Sequence, residues 1–261
     1  MKTFRVSTDG QGNPRIEALA LPFLRPGPAA TPAELEQAPD PATFAAVEGV
    51  RAVSTVAGSE EVVTGAGPRR LILVVSGSLR LGVPDMSATA GPGDVVFVDL
   101  PDGAEHPATI SSVADGRYLE VEVGDAWVPR GVVPPSLDED RRQADADPQL
   151  TRLYSEGDLA HLGDLSGLFT DAAAPQDAYA LTFICLSPGM DSDFHTEPDV
   201  SLVFVLSGGF TLEVGGSGGR QTLRAGDVGL VEDFEGQGHA SSVEGETRFA
   251  VLTLPREHQW K

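Results

Sequence analysis

Apolar positions fall in short runs of about four to eight residues, rich in Val, Leu, Phe and Thr, with clusters of Gly, Pro and Asp between them along the whole chain. Runs of that length bounded by turn residues predict many short strands and no regular alternation of helix and strand, so the chain reads as all-β. The second half predicts strands near residues 180–186, 202–206, 210–214, 221–223, 228–231, 240–243 and 248–254. Strands packed that densely suit a sandwich or a barrel. The first half repeats the scheme near residues 51–56, 71–75, 79–83, 95–98, 108–112 and 118–123. A helical signal is Thr31 as N-cap with Pro32 at the first helical position, ahead of AELEQA.

The pattern is also said twice. Gly93 to His106 reads GDVVFVDLPDGAEH and Gly226 to His239 reads GDVGLVEDFEGQGH, while Leu71 to Gly77 (LILVVSG) falls on Leu202 to Gly208 (LVFVLSG). The offset is 202 − 71 = 131 residues and becomes 226 − 93 = 133 after a longer hairpin. Self-similarity at that distance predicts a duplicated domain. Ser76-Gly77 and Ser207-Gly208 supply the hairpin turns. The expected division is a first domain over residues 1–127, a linker over 128–150 with four prolines and the run DEDRRQADADP, and a second domain over 151–261. Thr64 stands in the first half where His195 stands in the second, so the chemistry is expected in the second half.

Charge and composition narrow the partners. With 18 Lys plus Arg against 39 Asp plus Glu, the formal charge is −21, which repels nucleic-acid backbones and anionic membranes alike. Neither is an expected partner. Cys185 is the sole cysteine, within an apolar run, and reads as an inert core thiol. The start MKTFRVSTDG lacks an apolar leader, and no stretch approaches the roughly 18 apolar residues of a membrane span, so the cytoplasm is the expected compartment.

The second half resembles the cupin superfamily. Gly189, His195, Glu197, Ser201 and Gly208 fall on the five positions of its first motif, and Gly226-Asp227 with Gly236 to His239 on its second. RLYSEGDLAHLGDL, FHTEPDVSLVFVLSG and VEDFEGQGH look like a group of small single-domain cupins, and STDGQGNPRIEALALPF onward looks like a diverged copy. The resemblance implies a bicupin: two tandem double-stranded β-helix (jelly-roll) barrels. It also implies an activity among dioxygenases, isomerases, decarboxylases, dehydratases and cyclases. Two departures from the family pattern matter: Glu197 replaces the second motif-one histidine and Ser201 the usual glutamate. In the first half Thr64, Ala66 and Arg70 take the ligand positions and leave His106 alone, so no metal is expected there.

Residues two apart on a strand face one side, so His195 and Glu197 project together, and a barrel brings His239 beside them. Two imidazoles and a carboxylate can hold one divalent ion (Fe, Mn, Zn or Ni) with positions left open. Pro198 opposes this by threatening to end the strand and turn Glu197 outward. Without a metal, His195 and His239 supply acid–base chemistry near neutral pH, with Glu232 or Asp233 as carboxylate partner. A third reading makes both histidines polar groups of a receptor cavity. Ser201, Val203, Val205 and Phe210 are the expected contacts of a small organic substrate or ligand. Arg248 is a candidate clamp for a 2-oxo acid, Arg69 and Arg70 for an anion, with ordinary ion pairing as the alternative for each. His161 is expected to tie an N-terminal arm to the barrel, His258 with Trp260 to be peripheral, and His106 to match His239 without a partner. The expectation is therefore a small-molecule enzyme of isomerase, dehydratase, cyclase or dioxygenase type, placed in secondary metabolism by fold analogy alone. The alternative is a non-catalytic ligand-binding or structural protein. The oligomeric state is not fixed by the sequence; the resemblance to cupins implies that pairing of two copies through sheet edges, as a homodimer, is open in either case.

Overall fold

The structure, a computed structural model, describes residues 1–25, 44–102, 104, 106–131, 133, 147–170, 175–258 and 260. The helix expected after Thr31 and most of the charged linker run lie outside them. Among the described residues the regular structure is all strand, apart from a short 3₁₀ turn at Ser166–Phe169. It is all-β, built as two tandem jelly-roll lobes.

One thirteen-stranded sheet runs through the molecule. Its first-lobe half is ordered Pro14–Ala18, Thr3–Thr8, Val95–Val98, Arg70–Ser76, Gly116–Val123 and Phe44–Thr55; its second-lobe half continues Ala180–Leu186, Thr247–Leu254, Val200–Ser207, Val228–Glu232, Leu150–Glu156 and Leu159–Asp164. The order of the second half mirrors that of the first strand for strand. The lobes join where Phe44–Thr55 pairs antiparallel with Ala180–Leu186. Each half is covered by a small sheet: Glu60–Val63, Ala108–Ser112, Leu79–Val83 and Met86–Ala90 in the first lobe, Arg220–Arg224, Gly209–Val214 and His239–Val243 in the second.

Alternation along the central strands divides three cores. Leu71, Leu73 and Val75 face a core shared between the lobes, where they join Leu202, Phe204, Leu206, Ala250 and Leu252. Ile72 and Val74 fill the first-lobe interior, and Val203 and Val205 line that of the second. A strand buried on both faces carries apolar residues at every position, which is why these segments read as unbroken runs. Chain crossings reinforce the shared core. Phe23–Leu24 pairs in parallel with Phe183 and Ile184 of the second lobe, and Gln176 bridges Val50 of the first.

The repeated Gly-Asp pair is structural in both lobes. Asp94 accepts the backbone N–H of Lys2 and of Gly91, and Asp227 that of Gln149 and of Arg224 at 2.6 and 2.7 Å. Each fully buried carboxylate thereby anchors the strand that enters parallel to its own. The glycines permit close contact between lobes, because a Cβ on Gly93 would lie 2.4 Å from the Leu206 oxygen and one on Gly226 2.7 Å from the Val75 oxygen. Both have positive φ, 79° and 86°.

Phe204 is fully buried in the shared core. Phe204→Ala is expected to cost about 3–5 kcal/mol in a urea titration, with both lobes still unfolding in one transition. Two separated transitions would contradict a core common to both.

Candidate metal centre

His239 opens its strand opposite Val214, and an isolated bridge sets His195 against it. The two backbones exchange hydrogen bonds, with the His195 N–H donating at 2.9 Å and the His239 N–H at 2.8 Å. Gly238 makes this approach feasible. Its φ is +65°, and a Cβ there would lie 1.8 Å from the His195 oxygen. The imidazoles consequently sit with ring centroids 4.5 Å apart at 50°. Glu197 follows in a loop, not on a strand; its N–H donates to the Asp233 carbonyl at 3.3 Å. Ligand atoms of His195, Glu197 and His239 all lie within 4.8 Å of one another. Pro198 does not turn the carboxylate away; it is exposed, and its own carbonyl accepts from Arg256.

The outer contacts select which nitrogens remain available. His195 Nδ1 is 2.8 Å from the Asp193 carbonyl oxygen, which can only accept, so Nδ1 carries the proton. His239 Nδ1 is 2.9 Å from Oδ2 of Asp233, a fully buried carboxylate whose Oδ1 has no partner. Both rings are thus left with Nε2 to offer. Burial, aided by the neighbouring His239, holds the His195 pKa below the usual 6.5 against the opposing pull of the Asp193 carbonyl and the Asp233 charge.

Val203, Val205 and Phe210 lie in the second-lobe interior with Phe249 and Val251, and Ser201 shares their side of the strand. Phe210 and Phe249 meet at 5.6 Å.

Glu232 is not brought to this group. It faces the other side of its strand, paired with Arg152 and 3.2 Å from His258 Nε2. Asp233, one residue on, is the carboxylate that reaches His239. His258 is accordingly buried and not peripheral. Arg248 is also buried on the far side, paired with Glu246 and 5.8 Å from the Phe23 ring, and no clamp forms. His161 stacks on Tyr154 at 5.6 Å. Arg69 is occupied by Asp99 at 2.6 Å and by the carbonyls of Gly124, Asp125 and Trp127. Arg70 pairs with Glu61 and Glu120.

His106 is not the counterpart of His239. Leu79 pairs with Ser112 as Phe210 pairs with Val243, so the residue matching His239 is 239 − 131, Ala108. His106 lies two residues earlier and is exposed. Asp233 was the other feature that the sequence left undecided. A strand buried on both faces hides which of two adjacent acids turns inward.

No family model matches the chain, and neither does any curated protein. Solved structures similar to it include a cupin 2 conserved barrel domain protein from Leptotrichia buccalis, at 16% identity over 78% of this chain and 81% of that one, with a TM-score of 0.40. Another is a protein of unknown function from Pseudomonas syringae, at 14% identity over 79% and 83%, with a TM-score of 0.40. A third is the oxalate decarboxylase of Bacillus subtilis, described with Mn(II) centres, at 15% identity over 88% and 73%, with a TM-score of 0.31. These three are named as a cupin barrel protein, a protein of unknown function and an oxalate decarboxylase, and the strand order of this chain itself defines its two lobes.

A histidine with a depressed pKa binds fewer protons in the folded than in the unfolded state, so stability rises with pH through the window between the two values. Chelator-treated protein is expected to lose stability as pH falls through about 6.5 and below, and His195→Gln should flatten that slope. Denaturant midpoints from pH 8 to pH 5 check it; an unchanged slope in the variant would assign the effect elsewhere.

Proposed function

We propose that the chain is a small-molecule enzyme working in its second lobe, with one divalent first-row metal ion held by His195, Glu197 and His239. The observation that carries this reading is the commitment of both Nδ1 atoms to acceptors outside the group. Outer-shell contacts of that kind fix tautomer and ring orientation in metal-binding histidines. Two imidazole nitrogens and one carboxylate oxygen suit Fe, Mn, Zn or Ni, and three protein ligands leave positions for substrate. When bound, the ion supplies Lewis acidity to a substrate oxygen.

The chain's own residues do the rest. Asp233 holds His239 in one tautomer, and the Asp193 carbonyl does the same for His195. Val203, Val205 and Phe210 keep the interior apolar, which strengthens any electrostatic interaction at its mouth. The first lobe supports this arrangement through the shared core; its barrel holds Arg70 and Glu120 in place of a ligand set.

Protein purified without chelator is expected to carry about one divalent ion per chain by plasma mass spectrometry. His239→Ala and Glu197→Gln should each lose it while keeping the far-UV circular dichroism of the parent. Failure to take up any of the four metals on reconstitution would sink this reading and leave ligand capture without an ion.

A further inference from the structure

The two lobes place different side chains at matching points of the same barrel wall. Strand pairing fixes the match: Glu120 lies beside Arg51 and Ile72 in the first lobe, and Val251 beside Thr182 and Val203 in the second. The offset is the same at four points, 182 − 51, 201 − 70, 251 − 120 and 253 − 122, each 131 residues. In the first lobe these points carry Arg51, Arg70, Glu120 and Glu122. Arg70 and Glu120 are buried with Arg70 Nε 3.2 Å from the Glu120 carboxylate; Arg51 adds to Glu120 and Glu61 to Arg70. Arg70 and Glu120 thus occupy that wall as a buried ion pair, while Arg51 and Glu122 are exposed. Burial and the two nearby carboxylates, Glu120 and Glu61, push the neighbouring Tyr118 phenol up to about 12.

In the second lobe the same four points carry Thr182, Ser201, Val251 and Thr253, all short and uncharged, and all half-buried where a packed interior would seal them. They share a wall with Val203 and Phe249. Cations are absent from this wall among the described residues. Of the five described arginines of the second lobe, Arg152, Arg220 and Arg248 are paired with Glu232, Glu213 and Glu246, and Arg224 and Arg256 are exposed. Glu197 and Asp233 would by themselves match the two charges of a divalent ion, leaving no net positive charge to hold an anion.

We propose that the second-lobe trough selects an uncharged, partly apolar small molecule bearing a hydroxyl, carbonyl or amide group, and rejects its carboxylate counterpart. The hydroxyls of Thr182, Ser201 and Thr253 are the polar partners of such a ligand, and Val203, Phe249 and Val251 its apolar bed. A carboxylate entering the trough would lose hydration with no cation to replace it. The proposal rests on the second lobe being a small-molecule site and is independent of whether that site holds a metal.

The test is isothermal titration of three matched pairs, benzamide and benzoate, phenylacetamide and phenylacetate, hexanamide and hexanoate, on metal-loaded and chelator-treated protein. The neutral member should bind at least about tenfold more tightly in each pair that binds. Ser201→Arg restores the first-lobe residue and should move the preference about tenfold toward the carboxylate. Equal or tighter binding of the carboxylates to wild-type protein, or binding of no neutral member, overturns the proposal. Such a failure in protein that still carries its ion leaves the metal reading standing, whereas a neutral preference in protein that never takes up an ion does the reverse.

Discussion

Burial of the central sheet on both faces is the constraint from which the rest of the molecule follows. Leu71, Leu73 and Val75 meet Leu202, Phe204 and Leu206 on one side of it, while Ile72, Val74, Val203 and Val205 turn to the two barrel interiors. Neither lobe covers its half of the shared face alone. An isolated lobe would expose a large apolar patch of the kind monomeric proteins avoid. Phe23–Leu24 and Gln176, each crossing to the other lobe, add backbone pairing to that contact. His239 lies on the small sheet that covers the second-lobe half of this frame, and His195 is bridged to it.

Duplication followed by divergence used that frame in two ways. The first lobe spent its interior on Arg70 and Glu120, a buried pair that repays desolvation only through mutual contact and the added partners Arg51 and Glu61. The second kept short neutral side chains at those points. One frame therefore carries a buried ion pair in one lobe and short neutral side chains at the matching points of the other.

Fold class and duplication were legible because both rest on patterns that survive without coordinates: short apolar runs between turn residues, and repeated Gly-Asp and Ser-Gly turns. His195, Glu197 and His239 were legible through spacing, although the reason given for Glu197 was wrong in detail, since it lies in a loop and not two residues along a strand. His106 was misplaced because loop lengths differ. Ten residues separate Val98 from Ala108 and eight separate Val231 from His239 (108 − 98 and 239 − 231), so matching the closing histidines slips the register by two. The choice between Glu232 and Asp233 stayed open for want of a polar face to mark inside from outside. Arg248 was left open between a clamp and an ion pair for the same reason; the pair with Glu246 is what forms, because Phe249 and not Arg248 turns toward the lumen.

Asp233 ties these observations to the centre. A fully buried carboxylate with one oxygen on His239 and the other without a partner is costly to keep unless positive charge lies close by. His195 does not supply it, since burial favours its neutral form. A cation held at the adjacent Nε2 atoms would reach Asp233 through the imidazole of His239, in the carboxylate–histidine–metal order that orients such ligands. The same carboxylate would be a liability in a lobe meant only to pack, and the first lobe offers the contrast: its carboxylate Glu120 is satisfied by arginine, and no histidine stands at Ala108. On the proposed reading, the ion between His195 and His239 is the complement of this buried negative charge.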